Sequence, residues 1–439
     1  MTDVGPWPDA HDRGAASAGG DLVETLTVTA IGCRVVVGLV GVTDDQQVEI
    51  ATSWGRCDPV RAVRPRRDCD AVAALGRGPG PVPADAGVPH RAVAIRADSV
   101  ERLAEAITTT VTQLAIDRRR DDLLLLHAGG VADPATGATL AYVAPSGHGK
   151  TTASRVLGRA FGYVTDETVA VDDDGVVVGY PKPLSVLGAA RPATSRPKAQ
   201  VPPDALGLLR PPAVPLVLAR VVLLDRDPAA TEVTVTPVGL ADAAERLFPQ
   251  ISYLGARTRP LSRLQSLLDR AGGLLVVRYA EAETLEPVVR ALLAEGSSPV
   301  DGGEGPGEAR AENRAHRASP RARVPGGRPA GPPAAPAGTA GARPEALSAT
   351  EVDDWVADGE AVVVLIGGVL RTLSGIGVTI WHAARAGRTP EEAADAVVSA
   401  HGLPDAEPGA AERGRAAVAS AIDELVAAGL LRRERGRGA

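Results

Sequence analysis

Lysine is nearly missing from this chain. Among its 47 basic residues only Lys150, Lys182 and Lys198 are lysines; the rest are arginines. Aromatic residues make up 3% of the sequence. No apolar run approaches the roughly 20 residues that a membrane span needs, so no membrane partner is expected. There is no excess of positive charge. A net charge of −7 argues against non-specific binding to nucleic acid or to an anionic bilayer. Cysteine is scarce and odd in number: Cys33, Cys57 and Cys69 show no Cys-x-x-Cys spacing. Neither a disulfide framework nor a zinc site is implied, and buried or idle thiols are the default. Met1-Thr2-Asp3-Val4-Gly5 lacks the basic and apolar start of a signal peptide, so a cytoplasmic protein is expected.

Against that background one stretch stands out: Ala144-Pro145-Ser146-Gly147-His148-Gly149-Lys150-Thr151-Thr152. An apolar run at 139–143 precedes it and reads as a buried strand. Ala153-Ser154-Arg155-Val156-Leu157 follows and continues as a helix. Strand, glycine-rich loop, Gly-Lys-Thr and helix form the context of a phosphate-binding loop. Gly147 and Gly149 let backbone N–H groups converge on phosphate oxygens, at a helix end whose dipole favours an anion. Ser146, Gly147, His148, Gly149, Lys150, Thr151 and Thr152 are therefore the expected nucleotide-binding residues. Lys150 would meet the terminal phosphates, and the Thr151 hydroxyl would serve a Mg²⁺ site. The bland alternative is a turn with a chance Gly-Lys-Thr. In a chain so poor in lysine, a lysine at this position speaks against drift.

The length of 439 residues allows two or three domains. Residues 1–20 are rich in Gly, Ala and Asp and are expected to be disordered. Short β-type runs dominate from 22 to 93, including Val48-Glu49-Ile50, with a Pro/Gly-rich loop near 76–89. Residues 99–118 carry helical apolar spacing at Val100, Leu103, Ile107, Val111 and Leu114. Residues 123–132 read as one strand ending at a glycine pair, followed by a hairpin turn at 133–137. Residues 163–171 read as another strand, with Asp166-Glu167 in its middle. A further strand is expected at 219–226. Helices are expected at 240–247, 260–271 and 283–294, around a strand at 274–277. Gly, Pro, Ala and Arg dominate 296–345, which cannot bury enough apolar surface to offset its ordering entropy and reads as a disordered linker. Order returns with a β-hairpin over 360–373. A helix capped by Ser374 follows, then a helix opening at Thr389-Pro390, then an amphipathic helix over 415–431. Hairpin plus three helices suggests a winged-helix-like module.

Transfer of a γ-phosphoryl group needs a phosphate cradle, a metal holder and an acceptor for the hydroxyl proton. His127, Lys150 with Thr151, and Asp166 with Glu167 offer those types in one neighbourhood of the sequence. Adjacent carboxylates on a strand point to opposite faces, so Asp166 and Glu167 are not expected to do the same job.

These segments resemble a known family. His127-Ala128-Gly129-Gly130-Val131, the 144–152 loop, Tyr163-Val164-Thr165-Asp166-Glu167 and Gly179-Tyr180-Pro181-Lys182-Pro183-Leu184-Ser185 are similar to the core of HPr kinase/phosphorylase, especially its divergent relatives encoded with peptide natural products. The resemblance covers about 120–230. It implies that Asp166 is the catalytic base and His127 a partner near the transferred phosphate. It also implies that Thr151 and one carboxylate, assigned to Glu167, hold Mg²⁺. Thr151-Thr152 stands where the bacterial enzymes carry Ser-Glu, and their downstream Arg-Gly-rich loop has no counterpart, which points away from HPr as substrate. The C-terminal part resembles PqqD, a leader-peptide-binding module. Asp358-Gly359-Glu360-Ala361-Val362-Val363-Val364-Leu365, Thr372-Leu373-Ser374-Gly375-Ile376-Gly377, Ile380-Trp381, 387–392 and 425–431 carry that likeness. It implies a precursor peptide added as a strand, through 360–381 and 415–431. The acidic and apolar stretch 391–400 lacks the basic recognition helix of a DNA-binding winged helix, so no nucleic-acid partner is expected.

The fold class expected is therefore α/β: a P-loop, HPr-kinase-like domain over 21–295 with a β-rich N-terminal part, and a small winged-helix-like α+β domain over 346–433. The expected activity is ATP- and Mg²⁺-dependent phosphorylation of a Ser or Thr on a ribosomally made precursor peptide. A non-catalytic ATP-binding adaptor and an HPr-type metabolic kinase are the alternatives, and a homo-oligomer is left open.

Overall fold

A computed structural model describes residues 22–76, 92–145, 148–186, 197–296, 345–403 and 409–434. The expectations for 1–20, for most of the 76–89 loop and for nearly all of 296–345 lie outside them. The chain is mixed α/β, and no described helix is long and apolar enough to cross a membrane. Contacts divide it into two units, Met1–Ser297 with Glu351–Ser374, and Ser298–Thr350 with Gly375–Ala439.

The first unit begins with β1 (Leu22–Ala30), β2 (Cys33–Val40), α1 (Asp44–Ser53), β3 (Val60–Pro65), β4 (Ala71–Leu75), β5 (Val93–Ala97) and α2 (Val100–Arg119). The strands form one sheet in the order β3-β1-β2-β4-β5. Leu26, Val28 and Ala30 of β1 alternate with polar neighbours and share a core with Val35, Val37 and Leu39 of β2. Leu103, Ile107 and Val111 of α2 close that core at helical spacing. The run Val48-Glu49-Ile50 is not a strand. It lies in α1, which Thr43 and Gln46 open with a reciprocal capping box, and which turns Gln47, Ile50 and Ala51 inward.

There follow β6 (Leu124–Leu126), β7 (Ala128–Ala132), β8 (Ala138–Val143), α3 (Lys150–Leu157), β9 (Gly162–Thr165), β10 (Val169–Val171), β11 (Val177–Val178), β12 (Leu184–Val186) and β13 (Ala199–Val201). Next come β14 (Val217–Arg226), β15 (Thr234–Val238), α4 (Leu240–Leu247), β16 (Ile251–Ser252), α5 (Pro260–Arg270), β17 (Leu274–Tyr279) and α6 (Leu285–Gly296). A six-stranded sheet has the order β15-β17-β14-β8-β7-β9, with β14 parallel to both β8 and β17. A four-stranded sheet has the order β11-β10-β6-β16. The two strands expected at 123–132 and 163–171 are each broken in two. One breaks at His127, the other at residues 166–168, and in both cases the halves join different sheets. Because β7 pairs with β9 and β6 with β10, the two breaks lie opposite each other.

The C-terminal hairpin divides from the helices that follow it. β18 (Ala346–Ala349) belongs to the second unit, whereas β19 (Asp354–Asp358), β20 (Ala361–Ile366) and β21 (Val369–Leu373) form an antiparallel sheet in the first. Gly367 and Gly368 both take positive φ in the tight turn between β20 and β21. Val356, Val363 and Leu365 join the core that contains Leu126, Val143 and Val164. Asp358 accepts from Ala241 N (2.7 Å) at the start of α4, and Asp354 from Ser262 N (2.8 Å) and Ser262 Oγ (2.9 Å) at the start of α5. These acceptors meet two sets of otherwise orphan helix N–H groups. The compact division therefore does not run at residue 346: residues 351–374 fall with the first unit.

The second unit holds α7 (Ile376–Arg385), α8 (Pro390–His401), α9 (Ala410–Ala427) and β22 (Leu431–Glu434), which pairs with β18. Gly375, at φ 53°, precedes α7 and makes no side-chain cap; the expected cap from Ser374 is not formed. Thr389 caps α8 in a box with Glu392. The last helix starts before 415 and stops at Ala427, where Gly429 at φ 75° turns the chain into β22.

Candidate functional site

The two strand breaks define the site. Each strand must leave one sheet for the other, so its ladder is interrupted, and the freed residues lie at the seam. His127 occupies the first break, its backbone N–H bonded to Gln250 O (2.7 Å). Asp166 and Glu167 occupy the second. There Thr165 Oγ1 accepts from Glu167 N (3.2 Å) and Thr168 N (3.3 Å), which bends the chain. The alternation rule for strands does not apply to a bend. Asp166 and Glu167 consequently turn to the same partner rather than to opposite faces.

That partner is Lys182. Its Nζ lies 2.8 Å from Asp166 Oδ1 and 3.0 Å from Glu167 Oε2, and it donates to Pro183 O at 3.1 Å. The Lys182 and Asp166 side chains are 1% and 3% exposed, Glu167 31%. Tyr163 Oη lies 3.1 Å from Asp166 Oδ1 and 3.2 Å from Lys182 O and shares its one proton between these two acceptors. Burial works against the Lys182 ammonium, but Asp166 and then Glu167 outweigh it and raise its pKa. Burial likewise opposes ionisation of Glu167, and Lys182 overrides it, holding the carboxylate below its ordinary pKa. Proline on both sides fixes the backbone that presents Lys182. Lys182 was visible in the sequence as one of three lysines and as the centre of Pro-Lys-Pro, but neither fact names its partners.

The glycine-rich loop approaches from β8. Gly149 takes φ 90° and leads directly into Lys150, the first residue of α3. Lys150 is 8% exposed and its Nζ donates to Ala144 O. Burial lowers the Lys150 pKa to about 8, against the pull of Glu167 and Asp166. His127 is open to water on one side; the protein around it and the Lys150 ammonium lower its pKa, opposed by Glu167 and Asp166. Those mutual effects bring His127, Lys150, Asp166, Glu167 and Lys182 into one electrostatic neighbourhood. Thr151 is half-buried in the first turn of α3, whereas Thr152 and His148 are exposed. Ser146 and Gly147 lie outside the described residues. The loop helix is tied to its strand by Tyr142, whose Oη meets Ser154 Oγ at 2.7 Å, while Ser154 Oγ donates to Lys150 O at 2.9 Å. The Tyr142 ring covers Gly129 so closely that a Cβ there would fall 2.1 Å from it. The glycine after Ala128 is thus a packing requirement of the loop strand.

A nucleotide-borne Mg²⁺ takes most of its oxygens from phosphate and water and needs one or two from protein. Among the described residues no cluster of three or more His, Cys, Asp or Glu could hold a metal by itself. Asp166 and Glu167 each give one oxygen to Lys182, and among the described residues the second oxygen of each accepts no hydrogen bond. With the Thr151 hydroxyl, that donor set fits a hard cation that arrives with phosphate and does not fit a closed structural site. Compared with known proteins, the sequence matches no family model and no curated protein.

Proposed function

We propose that this chain is an ATP-dependent kinase that phosphorylates a Ser or Thr hydroxyl of a ribosomally made precursor peptide. The observation that carries the reading is that Lys150, behind a glycine-rich loop at a helix N-terminus, lies within electrostatic reach of Asp166 and Glu167 at the seam of two sheets. The helix end and Lys150 bind and orient the phosphates. Mg²⁺, held by Thr151 and Glu167, would neutralise charge on the phosphates. Asp166 accepts the proton of the acceptor hydroxyl as its oxygen forms the new bond to the γ-phosphorus and the bond to the ADP oxygen breaks. His127, within electrostatic reach of Lys150 and Glu167, would orient a phosphoryl oxygen.

The peptide part of the proposal rests on the likeness of 346–433 to PqqD. The strand β21 supports it: it is an outer strand of its sheet, mostly exposed, and among the described residues its outer backbone edge pairs with no other strand, as strand addition requires. Its sheet shares the first unit's core, so a peptide on that edge would be carried by the kinase unit itself.

The test is phosphate transfer from labelled ATP to a precursor peptide encoded beside the gene, read by mass spectrometry. A phosphorylated Ser or Thr is expected with the full chain, and none with Asp166→Asn. Tight ATP binding without turnover on any such peptide would replace the kinase with the adaptor.

A further inference from the structure

We propose that Lys182 is a positioning residue, the resident counter-ion of the Asp166–Glu167 pair, which holds both carboxylates together and keeps a divalent metal from settling on them before a nucleotide brings it. The purpose of the device rests on the kinase reading above. The observation beneath it does not.

Lys182 has three N–H donors and three acceptors: Asp166 Oδ1, Glu167 Oε2 and Pro183 O. Its ammonium is therefore saturated and stands between two carboxylates that would otherwise repel each other on neighbouring residues. Its own approach is fixed from several sides. Its N–H bonds Tyr180 O (2.8 Å), its carbonyl accepts from Tyr163 Oη, and Tyr180 Oη meets Thr112 Oγ1 of α2 at 2.8 Å. A compact ammonium suits three convergent oxygens, whereas the flat fork of arginine does not, which accounts for a lysine in a chain that uses arginine almost everywhere. Fold stability alone is a weak reason for such an arrangement, since a buried ion pair seldom outperforms apolar residues of the same volume.

The charges give the consequence. Two carboxylates and one ammonium leave a net −1, too little to retain a bare divalent ion against its hydration. Phosphate oxygens supply the missing ligands, so metal is taken up only with nucleotide. Removing the ammonium leaves −2 on two adjacent carboxylates, and a free divalent cation then fills the gap.

The experiment uses the full chain without nucleotide and Mn²⁺ as the probe, followed by electron paramagnetic resonance. Lys182→Met is expected to tighten Mn²⁺ binding about tenfold or more relative to the parent, which one additional unit of net negative charge at contact distance readily supplies. Glu167→Gln added to that variant is expected to reverse the gain, which locates the ion. Lys182→Gln keeps N–H donors for the carboxylates without the charge, and should tighten Mn²⁺ binding as well if Lys182→Met does not fold. Unchanged or weaker Mn²⁺ binding in either folded variant overturns the proposal. So does failure of both variants to fold by circular dichroism, because Lys182 would then be a determinant of the fold. ATP binding to the parent chain, measured alongside, separates the two proposals: a parent that binds no ATP sinks the kinase reading and leaves the Mn²⁺ result standing.

Discussion

Lys150 and Lys182 lie in one site and differ in nearly every physical respect. Lys150 heads a helix behind a glycine, gives its ammonium to one backbone carbonyl, and is buried with no carboxylate in contact among the described residues. Lys182 is held between prolines and meets two carboxylates and a carbonyl. Burial therefore depresses the pKa of the first to about 8 and fails to depress that of the second, which rises. The lesson is that burial alone does not set the character of a lysine; its acceptors do. An ammonium that the protein leaves incompletely compensated is ready for an external anion, whereas one fully compensated is part of the scaffold.

The largest test of that contrast is Asp166→Asn. It removes the proton acceptor of the proposed reaction, a role worth about a thousandfold in rate. It also takes away one of the two counter-ions of Lys182, and breaking a buried pair costs about 3–5 kcal/mol. Phosphoryl transfer should collapse and the urea midpoint should fall, while ATP binding stays near the parental value. Parental transfer by the Asp166→Asn variant would move the proton acceptor to Glu167. Lys150→Ala should have the opposite profile. ATP affinity should drop about a hundredfold, since a hydrogen bond to a charged group contributes at most ~3 kcal/mol. Stability should hold or rise, because the ammonium removed was disfavoured by burial. Calorimetry and urea unfolding on the same two proteins check both halves.

The pH dependence sharpens the comparison further. Lys150 in the free protein loses its proton near pH 8, and phosphate prefers the charged form. ATP affinity should decline as pH rises through about 8, and binding above that value should take up a proton, visible as a buffer-dependent calorimetric enthalpy. The sign for folding runs the other way. The folded pKa lies below the ordinary lysine value, so between the two the unfolded chain holds more protons, and this residue's penalty fades as pH rises. Glu167 acts on the acid side. Its pKa is lowered, so its contribution is present above the ordinary carboxylate value and lost as pH falls through the folded one.

Much of this site was legible in the residues. The strand at 139–143, the loop and the helix after it follow from a buried apolar run, two glycines and a lysine, and they appear as β8 and α3. Helices at 240–247 and 260–271 follow from periodicity and are matched within a residue. What sequence could not show was the pair of strand breaks. Residues 123–132 and 163–171 each read as one continuous strand because a seam between sheets leaves apolar residues on both sides of it. A continuous strand puts Asp166 and Glu167 on opposite faces, and it names no partner for Lys182, well beyond them along the chain. The same limit applies at the C-terminus, where the hairpin over 360–373 was legible but its core was not: Val363 and Leu365 turn toward α4 and α5, and nothing local in their sequence says so.

The smallest predicted effects come from a third way of compensating a buried charge. Among the described residues Asp354 and Asp358 have no cation in contact; helix N–H groups compensate them instead. Asp354 is buried and accepts from the backbone and hydroxyl of Ser262, while Asp358 accepts from Ala241 N. Each serves as a long-range cap on a different helix, and losing a cap costs about 1 kcal/mol. Asp354→Ala and Asp358→Ala should each lower the urea midpoint by a few tenths of what Asp166→Asn does. Asp354→Ala should be the more costly, since it strands three donors, Ser262 N, Ser262 Oγ and Trp355 N, rather than one. Because the two carboxylates serve separate helices, the double variant should be additive to within about 0.5 kcal/mol. Asparagine at either position keeps an acceptor oxygen and should recover most of the loss, in contrast to Asp166→Asn, where charge is the point. Equal losses with alanine and asparagine at Asp354 and Asp358 would show that these aspartates, like the pair at Lys182, act through their charge.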